Sequence, residues 1–160
     1  MNSTASRNLP LAGRQPAPLP RQLLAILIGF ISAAAANVIF YLLVTELFGI
    51  SIVAPPELNP IPVTDVVLLS FIFSFGAGLV FLVVANISRR PAPIYLGICL
   101  VVLVFSLYLP FRMPRPPVPI STPLVLASMH VIGAAVLVPI LIAVGLPVKG
   151  DDQLEAQVAA

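Results

Sequence analysis

Four long stretches of this chain contain no Lys, Arg, Asp or Glu: Leu23–Thr45, Val66–Ile87, Ile94–Leu109 and Leu124–Leu146. A helix needs roughly 20 predominantly apolar residues to cross the hydrocarbon of a bilayer. Three of the stretches reach that length comfortably. The composition agrees: hydrophobic residues make up 59% of the 160, and charged residues only 9%. A soluble domain carries about 45–50% apolar and about 25% charged residues, so so few charges could not cover such a core. Lone soluble domains and disordered chains are thereby excluded.

The expected fold is all-α, a polytopic membrane protein built as an antiparallel bundle of four transmembrane helices. Its spans fall at about 23–48, 65–87, 94–111 and 123–146, within a domain covering about 22–146. A flexible Pro- and Arg-containing tail (1–21) precedes it and a short acidic tail (147–160) follows. Proline placement supports these boundaries, because helix interiors reject it. Of 18 prolines only Pro139 lies inside an apolar stretch, where it is a candidate kink. Thr64–Asp65 and Thr122–Pro123 are candidate helix starts, and Gly49 a left-handed stop.

Two alternatives bear on threading. The stretch Ile94–Leu109 is short, about 24 Å at 1.5 Å per residue, so a three-span chain with this piece re-entrant or peripheral competes with four spans. Arg21 followed by apolar residues and Ala33–Ala36 has the outline of a cleavable signal, but the apolar run continues well past the alanines, which suits a retained span. With four spans, Arg7, Arg14, Arg21, Arg89, Arg90 and Lys149 share one side against Arg112 and Arg115 on the other. The positive-inside rule then places both termini in the cytoplasm of a cell with this protein in its plasma membrane. Glu46, Glu57 and Asp65 share the outer side with Arg112 and Arg115, so opposite charges there are candidates to tie the two outer loops together.

Polar side chains inside lipid are costly and turn toward protein or water. Asn37 and Ser74 sit about 12 Å below the outer surface and His130 about 9 Å, making them a candidate intramembrane polar cluster. Small residues at four-residue spacing let helices approach closely. Ala25, Gly29 and Ala33 form such a stripe ending at Asn37; Ser70 and Gly78 flank Ser74; Ala134 shares a face with His130. In one version of the cluster His130 senses protons or holds a ligand, since imidazole changes charge near physiological pH. In the plainer version it is a neutral ring satisfied by Asn37.

The chemistry-bearing motifs are few. One His and one Cys (Cys99) cannot build a typical zinc site, and no Gly-rich phosphate loop, Ser-nucleophile motif or HExxH occurs. The expectation is no catalytic residue, no metal, no cofactor and no nucleic-acid partner. The partners expected are the lipid bilayer and either further copies of the chain or a larger membrane complex.

The first span runs through alanines into Asn (AAAANVIFYLL, Ala33–Leu43), a Pro-rich outer loop follows, and a basic turn (Ser88–Pro91) closes span two. The fourth span reads STPLVLASMHVIGAAVLVP (Ser121–Pro139). Together these resemble an uncharacterised family of small bacterial four-helix integral membrane proteins, a domain of unknown function, over roughly residues 22–146. The resemblance implies a fold and a plasma-membrane location and no activity. The function expected is that of a non-enzymatic structural or accessory membrane subunit acting through helix–helix contacts. The alternative is a small transport or pH-sensing protein using a polar layer around His130.

Overall fold

The computed structural model describes residues 15–55, 57–113 and 117–146. Helix α1 (Leu19–Leu42) runs on through a π turn (Leu43–Leu47), a two-stranded hairpin follows (β1, Val53–Ala54; β2, Asn59–Pro60), and then come α2 (Val63–Ile87), α3 (Pro91–Tyr108) and α4 (Ser121–Gly145). A single 3₁₀ turn, Pro110–Arg112, extends α3. Four segments are long and apolar enough to cross a membrane: Leu19–Leu47, Val63–Ile87, Pro91–Arg112 and Ser121–Gly145. The third is therefore a span of 22 residues once its terminal turn is counted, and the fold is an all-α, four-helix membrane protein.

The helices begin three or four residues before the apolar stretches do, because proline helps to start them. Pro20 and Pro91 occupy first-turn positions, where the missing N–H is no loss and φ is already helical. The expected side-chain caps do not form. Pro62 and Ile120 precede α2 and α4 without a capping bond. Thr122 is instead buried inside the first turn of α4, where its Oγ1 accepts from the Val53 N–H at 3.3 Å. Gly49 does adopt the left-handed conformation (φ +64°), and Ile50 N–H reaches back to the Val44 carbonyl at 3.1 Å, closing the π turn.

Packing follows one stripe per helix. On α1 the buried residues Gln22, Ala25, Gly29, Ala33, Asn37 and Tyr41 recur every three or four positions, and this stripe rests chiefly against α4 and then α2. Small residues set the approach distance, as van der Waals contact must where lipid tails are as apolar as the side chains. A Cβ added at Gly29 would come to 2.8 Å from Leu137 Cδ1, and one at Gly78 to 2.9 Å from Ile26 Cγ2. Helix α3 differs. Only Pro91, Ala92 and Tyr95 are buried on it, so it leans on α2 and α4 mainly at its first turn. The proposed kink residue Pro139 lies inside α4, where it has no N–H to give the carbonyl one turn before it.

The hairpin is fastened over the C-terminal end of α1. Tyr41 Oη donates to the Ile61 carbonyl, Ile61 N–H donates to Ile52 O at 2.9 Å, and Ile52 is 2% exposed. Tyr41→Phe should therefore cost about 1 kcal/mol and hasten proteolysis within 53–60, with the helices unchanged by circular dichroism. Unaltered cleavage rates would show that the hydroxyl does not hold the hairpin.

Candidate functional site

The light packing of α3 leaves a cleft of about 390 Å³ walled by α2, α3 and α4, with Asn37 of α1 at its back. On α2 its lining runs from Val66 to Val80, about 21 Å along the helix axis at 1.5 Å per residue. Rim residues Ile72, Phe73 and Val102 are more than half exposed, so the cleft opens on the outer surface of the bundle. Its inner end is closed by Tyr95, which stacks edge-on with Phe81 at 5.3 Å and donates to Ala77 O at 3.4 Å.

Asn37, Ser74 and His130 all line this cleft, but no hydrogen bond joins them. Asn37 Nδ2 donates to Ser70 Oγ at 3.1 Å, one turn from Ser74 on the same face of α2. His130 Nδ1 lies 2.7 Å from the Leu126 carbonyl of its own helix, and its ring stands 5.9 Å from that of Phe73. A carbonyl only accepts, so Nδ1 carries the proton in that contact. Asn37 Oδ1 is buried and has no hydrogen-bond partner.

The other expected residues divide by place. Ala25, Gly29, Ala33, Ser70 and Gly78 are buried in the seams within the bundle. Ala134 is only half-buried and lines the cleft. Gly133 takes the close-packing role instead, since a Cβ there would come to 3.2 Å from Asn37 Nδ2. Among the charges expected to tie the loops together, Glu57 accepts from Asn59 Nδ2 at 2.8 Å and Arg112 lies over the Tyr108 ring at 5.4 Å. No ion pair joins Arg112 to Glu46, Glu57 or Asp65 among the described residues, and Arg115 lies outside them. Cys99 is a free thiol in the cleft wall. No group of three His, Cys, Asp or Glu is placed to hold a metal among the described residues.

A second polar arrangement escaped sequence reasoning. At the opposite end of the bundle, Gln22 is 1% exposed; its Nε2 donates to Ala17 O at 2.6 Å and its Oε1 accepts from Asn86 Nδ2 at 3.1 Å. Ala17 N–H in turn donates to Gly145 O at 3.0 Å, and Arg21 Nε to Val144 O at 3.2 Å. The only signal in the sequence was a Gln set one turn before the small-residue stripe.

Residues 17–145 match the model of a family of unknown function, DUF6069. No curated protein and no solved structure matches the chain. The chain belongs to the DUF6069 family, in keeping with the resemblance carried by Ala33–Leu43 and Ser121–Pro139.

Proposed function

We propose that this member of the DUF6069 family is a non-enzymatic accessory protein of the cell membrane, with both termini in the cytoplasm, whose work is to hold a guest from the bilayer against α2, α3 and α4. The observation that carries the reading is the cleft beneath α3. The α1 stripe cannot serve a partner, because α4 and α2 already cover it. What the bundle leaves unfilled is a half-open, largely apolar space, and such spaces with a few placed polar groups are the usual form of a small-molecule site. The distribution of Arg supports the orientation, since Arg21 and the Arg89–Arg90 turn lie at the end where α1 begins and α2 ends.

The cleft can be filled without a clash. Gly76 lines it, and a Cβ there would meet nothing within 4 Å. Full-length protein taken from cells in mild detergent should retain an apolar small molecule in native mass spectrometry. Gly76→Leu should retain about tenfold less at unchanged thermal stability. Equal retention by both, or none by either, would overturn the reading.

Transport or pH sensing is the second reading, favoured by the place of His130 on the cleft wall. Cysteines at Ser74 and Ala134 separate the two. A charged, water-soluble thiol reagent should leave both unlabelled if the cleft faces lipid, and should label them if it holds water.

A further inference from the structure

We infer that the guest is a membrane lipid, that one of its hydrocarbon chains lies along the cleft with the methyl end against Tyr95, and that Tyr95 sets the chain length accepted. The inference rests on the guest-holding reading and adds the class of guest and the residue that selects it.

Depth and closure come first. The cleft reaches Ile61 at the hairpin and ends at Tyr95 of α3, Val80 of α2 and Val138 of α4. Each of these three helix residues lies 17 residues from the hairpin-side end of its span, which is about 25 Å at 1.5 Å per residue. Beyond them Phe81, Ala92, Leu141 and Leu146 are fully buried in one cluster, and the Tyr95 hydroxyl is held on Ala77 O. A seam for another transmembrane helix would run the length of the spans. This one has a floor. The floor lies deeper than one leaflet, half of a hydrocarbon core about 30 Å thick, so only an extended chain touches it.

Polarity is graded in the same direction. Asn37, Ser70, Ser74, Ser106 and His130 line the cleft, and all lie 6–11 residues from the hairpin-side ends of their spans. The deeper lining is apolar apart from Cys99 and the bonded Tyr95. No Lys, Arg, Asp or Glu lines the cleft among the described residues, so an ionic headgroup buried there would have no counter-ion. A lipid matches this grading. Its chain is apolar to the tip, its ester groups come at the polar end, and its headgroup stays at the mouth beside the hairpin.

Chain length follows from the distance to the floor. A zigzag of bonds of about 1.5 Å advances about 1.25 Å per carbon. The lining from Val66 to Val80, about 21 Å long, therefore takes a palmitoyl or stearoyl chain. A shorter chain leaves a void above Tyr95 and a longer one must fold back, and either loses packing. Cys99 also lines the cleft, one turn from Tyr95 on the same face of α3, so bulk placed there raises the floor.

The test offers full-length protein in a nonionic detergent an equimolar mixture of saturated phosphatidylcholines with chains from decanoyl to arachidoyl. Native mass spectrometry reads which are retained. Wild type should retain the palmitoyl or stearoyl lipid about three- to fivefold over the arachidoyl one. Cys99→Phe should move the maximum by one helical turn, about 5.4 Å, to lauroyl or myristoyl. Tyr95→Ala should move it toward arachidoyl. Val104→Phe, exposed on α3 outside the cleft, should leave it in place.

Retention that rises evenly with chain length in wild type, or a maximum that Cys99→Phe does not shift, would overturn the role of Tyr95 while leaving the guest-holding reading standing. Lipid retention no greater in wild type than in Gly76→Leu, or a dimer of the chain in place of lipid, would overturn the guest-holding reading itself. Cys99 is only half-buried, and the wild-type profile needs no substitution, so misfolding of Tyr95→Ala would not rescue the inference.

Discussion

Phe81→Ala should destabilise the bundle by about 3 kcal/mol, the low end for emptying a buried aromatic site. The low end applies because the lost transfer energy is between protein and lipid rather than water, which leaves the cavity and the lost dispersion contacts. Phe81 is wholly buried and meets three helices at once. Its ring stands edge-on to Tyr95 of α3, and its tip occupies the space above Gly145 of α4 and beside Ala25 of α1. Gly145 exists in that form because of the ring: a Cβ there would collide with Phe81 Cζ and lie 2.8 Å from Cε1. Gly145→Ala alone should therefore cost about 1–3 kcal/mol as overpacking. Added to Phe81→Leu, which withdraws the colliding ring atoms, it should cost much less. A double-mutant cycle in detergent, followed by thermal or denaturant unfolding, measures this coupling. Strict additivity would mean that the two side chains do not share the space.

That junction was invisible in the sequence for a physical reason. Apolar stretches and prolines locate spans because lipid sorts whole segments by their apolarity, so α1 to α4 fell within a few residues of their places. Azimuth is a different matter. A helix in water shows its buried face by contrast with a polar one, but α2, α3 and α4 are greasy all round, and lipid accepts the outer face as readily as the core accepts the inner. Only small or polar residues break the symmetry. Ala25, Gly29 and Ala33 lie on the buried side of α1. Phe81 and Gly145, on helices full of similar residues, gave no mark. Depth counting brought Asn37 level with Ser74 and His130, and all three do border one cleft, yet the amide turns to Ser70, one turn away. Height along a helix follows from 1.5 Å per residue; the partner of a side chain depends on rotation and tilt, which the count does not contain. The caps failed on a similar point. Thr64 and Thr122 have the right chemistry, but Pro62 and the turn at Pro119–Ile120 start those helices earlier and leave the hydroxyls inside the first turn.

Gln22→Leu should cost about 2 kcal/mol and should loosen two chain ends together. Leucine fits the volume and is at home in a membrane protein, so a reading by hydropathy alone expects no loss or a gain. The geometry argues otherwise. The Gln22 amide is spent on both sides, donating to Ala17 O and accepting from Asn86 Nδ2, and leucine would strand a buried carbonyl, which costs about 1–3 kcal/mol. Asn86 has the Leu82 carbonyl as a second acceptor at 2.8 Å, so Asn86→Ala should cost clearly less, about 0.6 kcal/mol as is common for polar contacts between membrane helices. The larger consequence is positional. By holding Ala17 O, Gln22 fixes the residue whose N–H donates to Gly145 O, and Arg21 beside it donates to Val144 O. These are among the last carbonyls of α4, which have no partner within their own helix, and a guanidinium there also meets the negative end of the helix dipole. Hydrogen exchange should accordingly speed up in 17–22 and in the final turn of α4 at the same time in Gln22→Leu. Protection lost at 17–22 alone would show that the α4 terminus is held by its own packing and not by this network.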